Sequence, residues 1–311
     1  MRREIGWDEI ERDDRSVVTV GTFDGVHRGH QAIIEHLRAR ADAQSGLSTL
    51  ISFDPHPRSV VHGQEIPLLT TVEERARVLE AAGLDRFVVL PFSMDFARLD
   101  PVDYVEEVLV ERVGVREITV GYDHRFGRDR EGDVDLLRAC GERHGFSVDV
   151  IPAQEVDEDV VSSRNVRALL LEEGDVTTAA EHLGRPYQLE GVVARGQGRG
   201  RQIGYPTANL ALQDPRKLVP KRGVYATRVA LPDGRTRGGM MNIGRRPTFD
   251  EMEVTAEVHL FDFEGDLYGE TLSVQFLQRL RDEQKFDSPE DLAVQLSEDE
   301  RHCRTIVEEI D

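Results

Sequence analysis

Near residue 187 the chain changes rhythm, and that change limits the folds open to it. Before it, short β-branched or apolar runs alternate with helical patterns. Ser16–Gly21, Leu47–Phe53, Arg86–Leu90, Arg116–Gly121 and Ser147–Ile151 read as strands. Gly29–Ala43 has helical apolar spacing at Ile33, Ile34, Leu37 and Ala41. Thr71-Val-Glu-Glu74 is a capping box opening a helix to about Ala82. Asp100-Pro101 opens another to about Val113, and Val134–His144 reads as a further helix. Such alternation builds a parallel sheet covered by helices. Helices near Arg164–Glu173 and Val176–Leu183 follow. Then come only short β segments, Leu189–Ala194, Gly223–Ala230, Gly238–Asn242, Thr255–Phe263 and Leu272–Leu277, separated by Gly and Pro turns. They suit a small antiparallel barrel. Ser288-Pro-Glu-Asp to Glu309 reads as a capped amphipathic helix. The boundary is expected near 185, giving domains 1–185 and 186–311, without internal repeats.

Composition narrows the function. The 59 acidic residues outnumber the 39 basic ones, for a net charge of −20. That surface repels nucleic acid and anionic membrane. It fits either adaptation to high salt or ordinary solubility. No run approaches the roughly 18 apolar residues of a membrane span. The first residues, Met-Arg-Arg-Glu-Ile-Gly-Trp-Asp-Glu, carry no apolar signal core. Cys140 and Cys303 fit no metal spacing and point to a reducing, cytoplasmic setting. The pattern leaves oligomerisation open.

Two stretches carry phosphate chemistry. Residues 198–209 read Gly-Arg-Gly-Arg-Gln-Ile-Gly-Tyr-Pro-Thr-Ala-Asn. Gly198, Gly200 and Gly204 let backbone approach a polyphosphate, with Arg201 beside them. Thr207 and Asn209 offer neutral oxygens suited to Mg2+. No Walker A sequence is present, so ATP must be held by other loops. The second stretch, Gly21-Thr-Phe-Asp-Gly-Val-His-Arg-Gly-His30, directly follows the first expected strand. A helix starting there aims free amides and partial positive charge at an anion. Gly21, Phe23, Asp24, Gly25 and Gly29 would shape the nucleotide pocket. His27 and His30, one turn apart, would hold phosphate oxygens as charge moves onto a leaving group. Ser162, Ser163 and Arg167 add hydroxyls and a cation at another helix start. Asp123 sits after a strand end, where it suits a ribose or caps a turn. Phe53, Pro55 and His56 end a strand in a rigid loop near the expected substrate, and Phe92 and Phe96 read as core.

The N-terminal residues resemble the HIGH-type nucleotidyltransferases, and more narrowly the adenylyltransferase module of bacterial bifunctional riboflavin kinase/FAD synthetases. The family's phosphate motif runs Ser-Ser-Thr/Ser-x-Ile-Arg, and Arg164 stands here at its third position. The second half resembles riboflavin kinase through Gly191-Val-Val-Ala-Arg-Gly196, Pro206-Thr-Ala-Asn209, Pro220-Lys-Arg-Gly-Val-Tyr225, Asn242-Ile-Gly-Arg-Arg-Pro-Thr248, Glu257-Val-His-Leu-Phe-Asp262, Leu267-Tyr-Gly269 and Leu280-Arg-Asp-Glu-Gln-Lys-Phe286. The resemblance implies an α/β Rossmann-like nucleotidyltransferase domain, then a small antiparallel β-barrel riboflavin kinase domain with a C-terminal helix. It implies Glu257 as the kinase base, Thr207 and Asn209 on Mg2+, and Arg281 beside the flavin ring. The implied reactions make FMN from riboflavin and ATP, then FAD from FMN and ATP with release of diphosphate. The alternative is a riboflavin kinase whose N-terminal half no longer transfers adenylate. A flavin carrier without turnover would need neither the base nor the Mg2+ ligands. The partners implied are small molecules.

Overall fold

The computed structural model describes residues 1–122, 124–151, 161–196, 200, 203–247 and 252–310. The chain divides into two compact units, Met1–Ser163 and Arg164–Asp311.

The first unit is built on a six-stranded sheet in the order β1-β4-β3-β2-β5-β6. Its strands are β1 (Arg2–Ile5), β2 (Ser16–Val20), β3 (Leu47–Asp54), β4 (Arg86–Pro91), β5 (Val115–Gly121) and β6 (Ser147–Ile151), and all neighbours run parallel. Strand side chains alternate between faces, so one sheet supports two cores. Val17, Leu50, Phe87 and Val89 meet Ile34 and Leu37 of α1 (Arg28–Ala43) and Leu79. Val18, Ile51, Val88 and Leu90 point the other way, to Val105, Val108 and Leu137. Between these come the short helix α2 (Pro57–His62), α3 (Val72–Ala81), which carries Leu79, and α4 (Met94–Ala97). A first turn α5 (Pro101–Asp103) runs into a π-helical stretch, Tyr104–Val113, and α6 (Val134–His144) follows. The expected capping box is formed: the Thr71 hydroxyl accepts from the Glu74 amide and the Glu74 carboxylate accepts from the Thr71 amide.

Sequence reading missed β1, because Arg-Arg-Glu-Ile shows no apolar alternation. Its Glu4 is buried against Arg86 at 2.6 Å, so an ion pair does what apolar contacts do elsewhere in the sheet. Strand order reverses between β2 and β5, and ligands of open α/β sheets bind at the carboxyl ends of strands beside such a reversal. The Gly21–His30 segment leaves β2 there.

The second unit is a closed barrel in the order β10-β11-β8-β7-β12-β9. Its strands are β7 (Gln188–Ala194), β8 (Ala208–Leu212), β9 (Gly223–Ala230), β10 (Thr236–Pro247), β11 (Met252–Leu260) and β12 (Thr271–Arg281). Every pairing is antiparallel. The strand β8 was also missed: no strand was expected between Ala194 and Gly223, yet Ala208 and Asn209 pair with β11. Helices α7 (Ser163–Ala168) and α8 (Val176–Leu183) precede the barrel. Thr177 donates to the Leu277 carbonyl and the Lys221 amide donates to Leu170. These ties to the barrel explain why the compact unit begins before residue 185. The C-terminal α9 (Pro289–Ile310) lies on β9 and β10, with Cys303 inside a cluster of Val224, Ala226, Met240, Phe261 and Leu277.

Among the described residues no helix is long and apolar enough to cross a membrane.

Candidate active sites

In the first unit, α1 begins where β2 ends. His27 is its N-cap: the imidazole Nδ1 accepts from the His30 amide at 3.3 Å. An accepting Nδ1 in a neutral ring leaves the proton on Nε2, which makes Nε2 a donor for an anion. The His30 ring stacks on His27 with centroids 3.6 Å apart and on Phe23 at 4.4 Å. Two stacked imidazoles resist carrying two charges. Burial, with the nearby His27 and Arg75 charges, holds His30 well below the ordinary histidine range. Its Nδ1 is buried without a hydrogen-bond partner. A buried polar atom left unpaired is costly unless a ligand completes it.

The loop before α1 is held under strain. Phe23 (φ 46°) and Val26 (φ 43°) adopt left-handed backbone, which side chains of these types rarely do. A Cβ on Gly21 would meet the Phe23 ring at 2.9 Å. Asp24 was expected to face the nucleotide, but its carboxylate is fully buried. It accepts from the Leu69 amide (3.0 Å), the Thr70 amide (2.9 Å) and the Thr70 hydroxyl (3.1 Å). The Gly25 amide donates to Thr70 Oγ1, and the Ser163 hydroxyl donates to the Asp24 carbonyl. Asp24 therefore builds the loop, and Ser163 buttresses it. Ser162 lies beside Ser163 at the start of α7, and Arg167 falls in the last turn of that helix. Asp123 lies outside the described residues.

Phe53 ends β3 beside an aromatic cluster, with Phe92 at 5.5 Å and Phe96 at 6.0 Å. Phe92 and Phe96 are only partly buried, so this cluster reaches the surface. Pro55 follows a cis peptide bond after Asp54, and the His56 Nδ1 caps α2 by accepting from the Arg58 amide.

In the second unit, Glu257 on β11 stands opposite Asn209 on β8 and opposite Asn242 on β10. Residues opposite one another in a ladder share a face, so these three side chains lie together. Thr207 donates its hydroxyl to Glu257 Oε2 at 3.2 Å. The Tyr205 amide donates to the Gly200 carbonyl at 2.8 Å, which folds the glycine segment back upon itself. A Cβ on Gly200 would strike the Tyr205 carbonyl, and one on Gly196 would strike the Asn209 amide. These glycines are thus required by close approach, and Gly204 by its φ of 86°. Gly198 and Arg201 lie outside the described residues. Two side chains beyond the expected set join the face: His259 Nδ1 bonds the Pro206 carbonyl at 2.8 Å, and the Tyr205 ring meets His259 at 5.2 Å. An aromatic contact between a loop residue and a distant strand has no sequence signature.

Arg281 was expected beside a flavin ring. Its guanidinium grips Asp299 of α9 from Nε (3.0 Å) and Nη2 (2.6 Å), with Asp299 buried. That ion pair fixes α9 to the end of β12. The cysteines are both free and buried, and burial pushes the Cys303 thiol up to about 12.

A switch-point helix with paired imidazoles, and a barrel face carrying Thr, Asn and Glu, define a transferase with two nucleotide-handling sites. The FAD synthetase family model matches residues 9–165 and the riboflavin kinase model matches residues 183–307. The chain belongs to the bifunctional riboflavin kinase/FMN adenylyltransferase family. A relative so described from Pseudomonas fluorescens is 40% identical over 93% of this chain and 92% of its own length. One from Haemophilus influenzae is 37% identical, covering 91% of each chain. A solved structure described as a macrolide-efflux protein from Streptococcus pneumoniae is 32% identical, covers 98% of this chain and 99% of its own, and gives a TM-score of 0.86. The match to both models lends nothing to a chain with kinase activity alone.

Proposed function

We propose that the barrel phosphorylates riboflavin and that the sheet unit transfers adenylate from a second ATP to FMN. The observation that carries the kinase assignment is the Thr207–Glu257 contact with Asn209 set directly opposite Glu257. Phosphoryl transfer needs positioning, charge neutralisation and a place for one proton. Glu257 takes the proton of the terminal ribityl hydroxyl as that oxygen bonds to the γ-phosphorus and ADP leaves. Thr207 and Asn209 fit Mg2+, a hard cation that takes neutral oxygens and keeps phosphate ligands. The Gly196 cradle supports that fit, since the absence of a Cβ there lets the Asn209 amide lie against the backbone. When bound, Mg2+ neutralises charge on the transferring phosphates.

At the sheet, an FMN phosphate oxygen bonds to the α-phosphorus and diphosphate leaves. The α1 N-terminus and the His27 and His30 rings hold the charge that develops there. Ser162 and Ser163 take the remaining phosphate oxygens. The aromatic edge at Phe53, Pro55 and His56 receives the flavin. Arg281 serves the flavin site of the barrel indirectly, by holding α9. The family matches, ending at 165 and beginning at 183, support a functional boundary near 185. Free, buried cysteines fit a cytoplasmic enzyme.

Two substitutions test the division. His30→Ala is expected to lower FAD formation from FMN and MgATP by about 100-fold or more, leaving FMN formation from riboflavin near the parent rate. Loss of both activities in a folded protein would overturn the assignment. Gly196→Ala places a methyl group on the Asn209 amide. It should cut riboflavin phosphorylation by about 10- to 100-fold and raise the Mg2+ concentration needed for half-maximal rate. An unaltered Mg2+ titration removes Asn209 from the cation site.

A further inference from the structure

The adenylyl site contains a buried cation that the reaction as described does not use. Arg75, on the first turn of α3, is only 2% exposed. Its Nη1 donates to the Ser52 hydroxyl at 2.8 Å, near the end of β3. Its Nη2 reaches the Thr70 carbonyl at 3.3 Å and lies 3.7 Å from Asp24 Oδ1. Its Nε points to Thr70 Oγ1 at 3.4 Å. Ser52 passes the connection on, donating to the Thr22 carbonyl. Thr70 does so through the Gly25 amide and the Asp24 carboxylate. One guanidinium thus joins the end of β3, the Leu69–Thr70 turn and the strained loop from Thr22 to Gly25.

We propose that Arg75 is a positioning residue for adenylyl transfer: it holds these three segments in one frame, which sets the His27–His30 pair at the start of α1. The proposal rests on adenylyl transfer taking place at that helix start. Well-packed apolar groups often replace buried ion pairs, so an effect of the Arg75 charge on the pH profile separates a positioning role from a purely structural one. At this site a cation is useful. Asp24 sits 3.7 Å away, a looser pairing than the 2.6 Å contact of Arg86 with Glu4. The Arg75 charge also reaches His30, where it disfavours a proton.

Burial is the first cause that disfavours a proton on His30; among the described residues, Arg75 on α3 and a proton on His27 at its own helix start disfavour it further. His30 works neutral, and its amide donates to the His27 Nδ1, an acceptor that a proton there would abolish. Removing the Arg75 charge lets His30 take a proton at higher pH. The acid limb of FAD formation then moves up the pH scale.

The test uses the full chain with Arg75→Gln and Arg75→Lys, beside His30→Ala. FAD formation from FMN and MgATP is followed from about pH 4 to about pH 8.5, a window that reaches below the ordinary histidine range because burial lowers His30. Histidine ring NMR signals are titrated in parallel. Arg75→Gln is expected to lower kcat about tenfold or more and to move the acid limb and the His30 titration upward together. Arg75→Lys keeps the charge without the fork of donors, so it should lose rate while its acid limb stays in place. Riboflavin phosphorylation should be unchanged in both. A folded Arg75→Gln protein with the parent acid limb and the parent His30 titration overturns the proposal, whatever its rate. If Arg75→Gln does not fold, an acid limb displaced in Arg75→Lys overturns it instead. Full FAD formation by His30→Ala would sink the site assignment itself, a separate failure.

Discussion

Glu257→Gln is expected to lower kcat for riboflavin phosphorylation by about two to four orders of magnitude, the usual contribution of a general base. FAD formation from supplied FMN should continue near the parent rate, because that chemistry belongs to the sheet unit. Gln is close in shape to Glu, and its side-chain carbonyl still accepts from the Thr207 hydroxyl that donates to Oε2 here. Asn209 and Asn242 remain opposite position 257 in the ladder, since those pairings are made by backbone. What disappears is the ability to take a proton. The loss should therefore fall on kcat and leave KM for MgATP little changed, the signature of an interaction made in the transition state. Chromatography of riboflavin, FMN and FAD in one reaction reads both activities together. A rise in KM at constant kcat would instead make Glu257 a binding residue and move the proton acceptor elsewhere.

Much of this arrangement was legible in the sequence because it rests on local rules. The Thr71–Glu74 box, the glycine segment and the strand–helix alternation each depend on residues a few positions apart. The histidine pair was legible for the same reason, being one helical turn. Pairings between distant segments were not. Asp24 looks like a ligand carboxylate until the fold brings Leu69 and Thr70 onto it. Arg281 looks like a free cation at a site until α9 delivers Asp299. Strand β8 was hidden because Ala-Asn-Leu-Ala-Leu is short and follows a glycine-rich segment, while its ladder partner Glu257 lies in another part of the chain. In each case the deciding contact spans a large sequence separation, and no periodicity records it.

The largest such contact concerns stability. Arg86→Met is expected to destabilise the sheet unit by about 3 kcal/mol, the lower end of the cost of removing one partner of a buried pair, because Arg2 Nε still holds Glu4 Oε1 at 2.6 Å. Arg86 is fully buried on β4. Its Nε and Nη2 grip the Glu4 carboxylate of β1, the latter at 2.6 Å. Its Nη1 donates to the Ser16 hydroxyl (3.0 Å) and to the Val113 carbonyl (3.2 Å), and Nη2 also reaches the Glu11 carbonyl. One side chain thereby ties the edge strand, the start of β2 and the end of the π-helical stretch. Arg86→Lys should recover little, because an ammonium cannot reproduce the guanidinium's planar fork of donors. Adding Glu4→Leu to Arg86→Met should recover part of the loss, since the double change removes the buried carboxylate that is left with Arg2 as its ion-pair partner. Urea unfolding of the three variants, followed by circular dichroism and by FAD formation, reads the effect. FAD formation should fail at lower urea than riboflavin phosphorylation, because the strain enters the sheet and leaves the barrel alone. If Arg86→Met unfolds with the parent midpoint, β1 is held by its backbone pairing with β4, and the ion pair adds nothing.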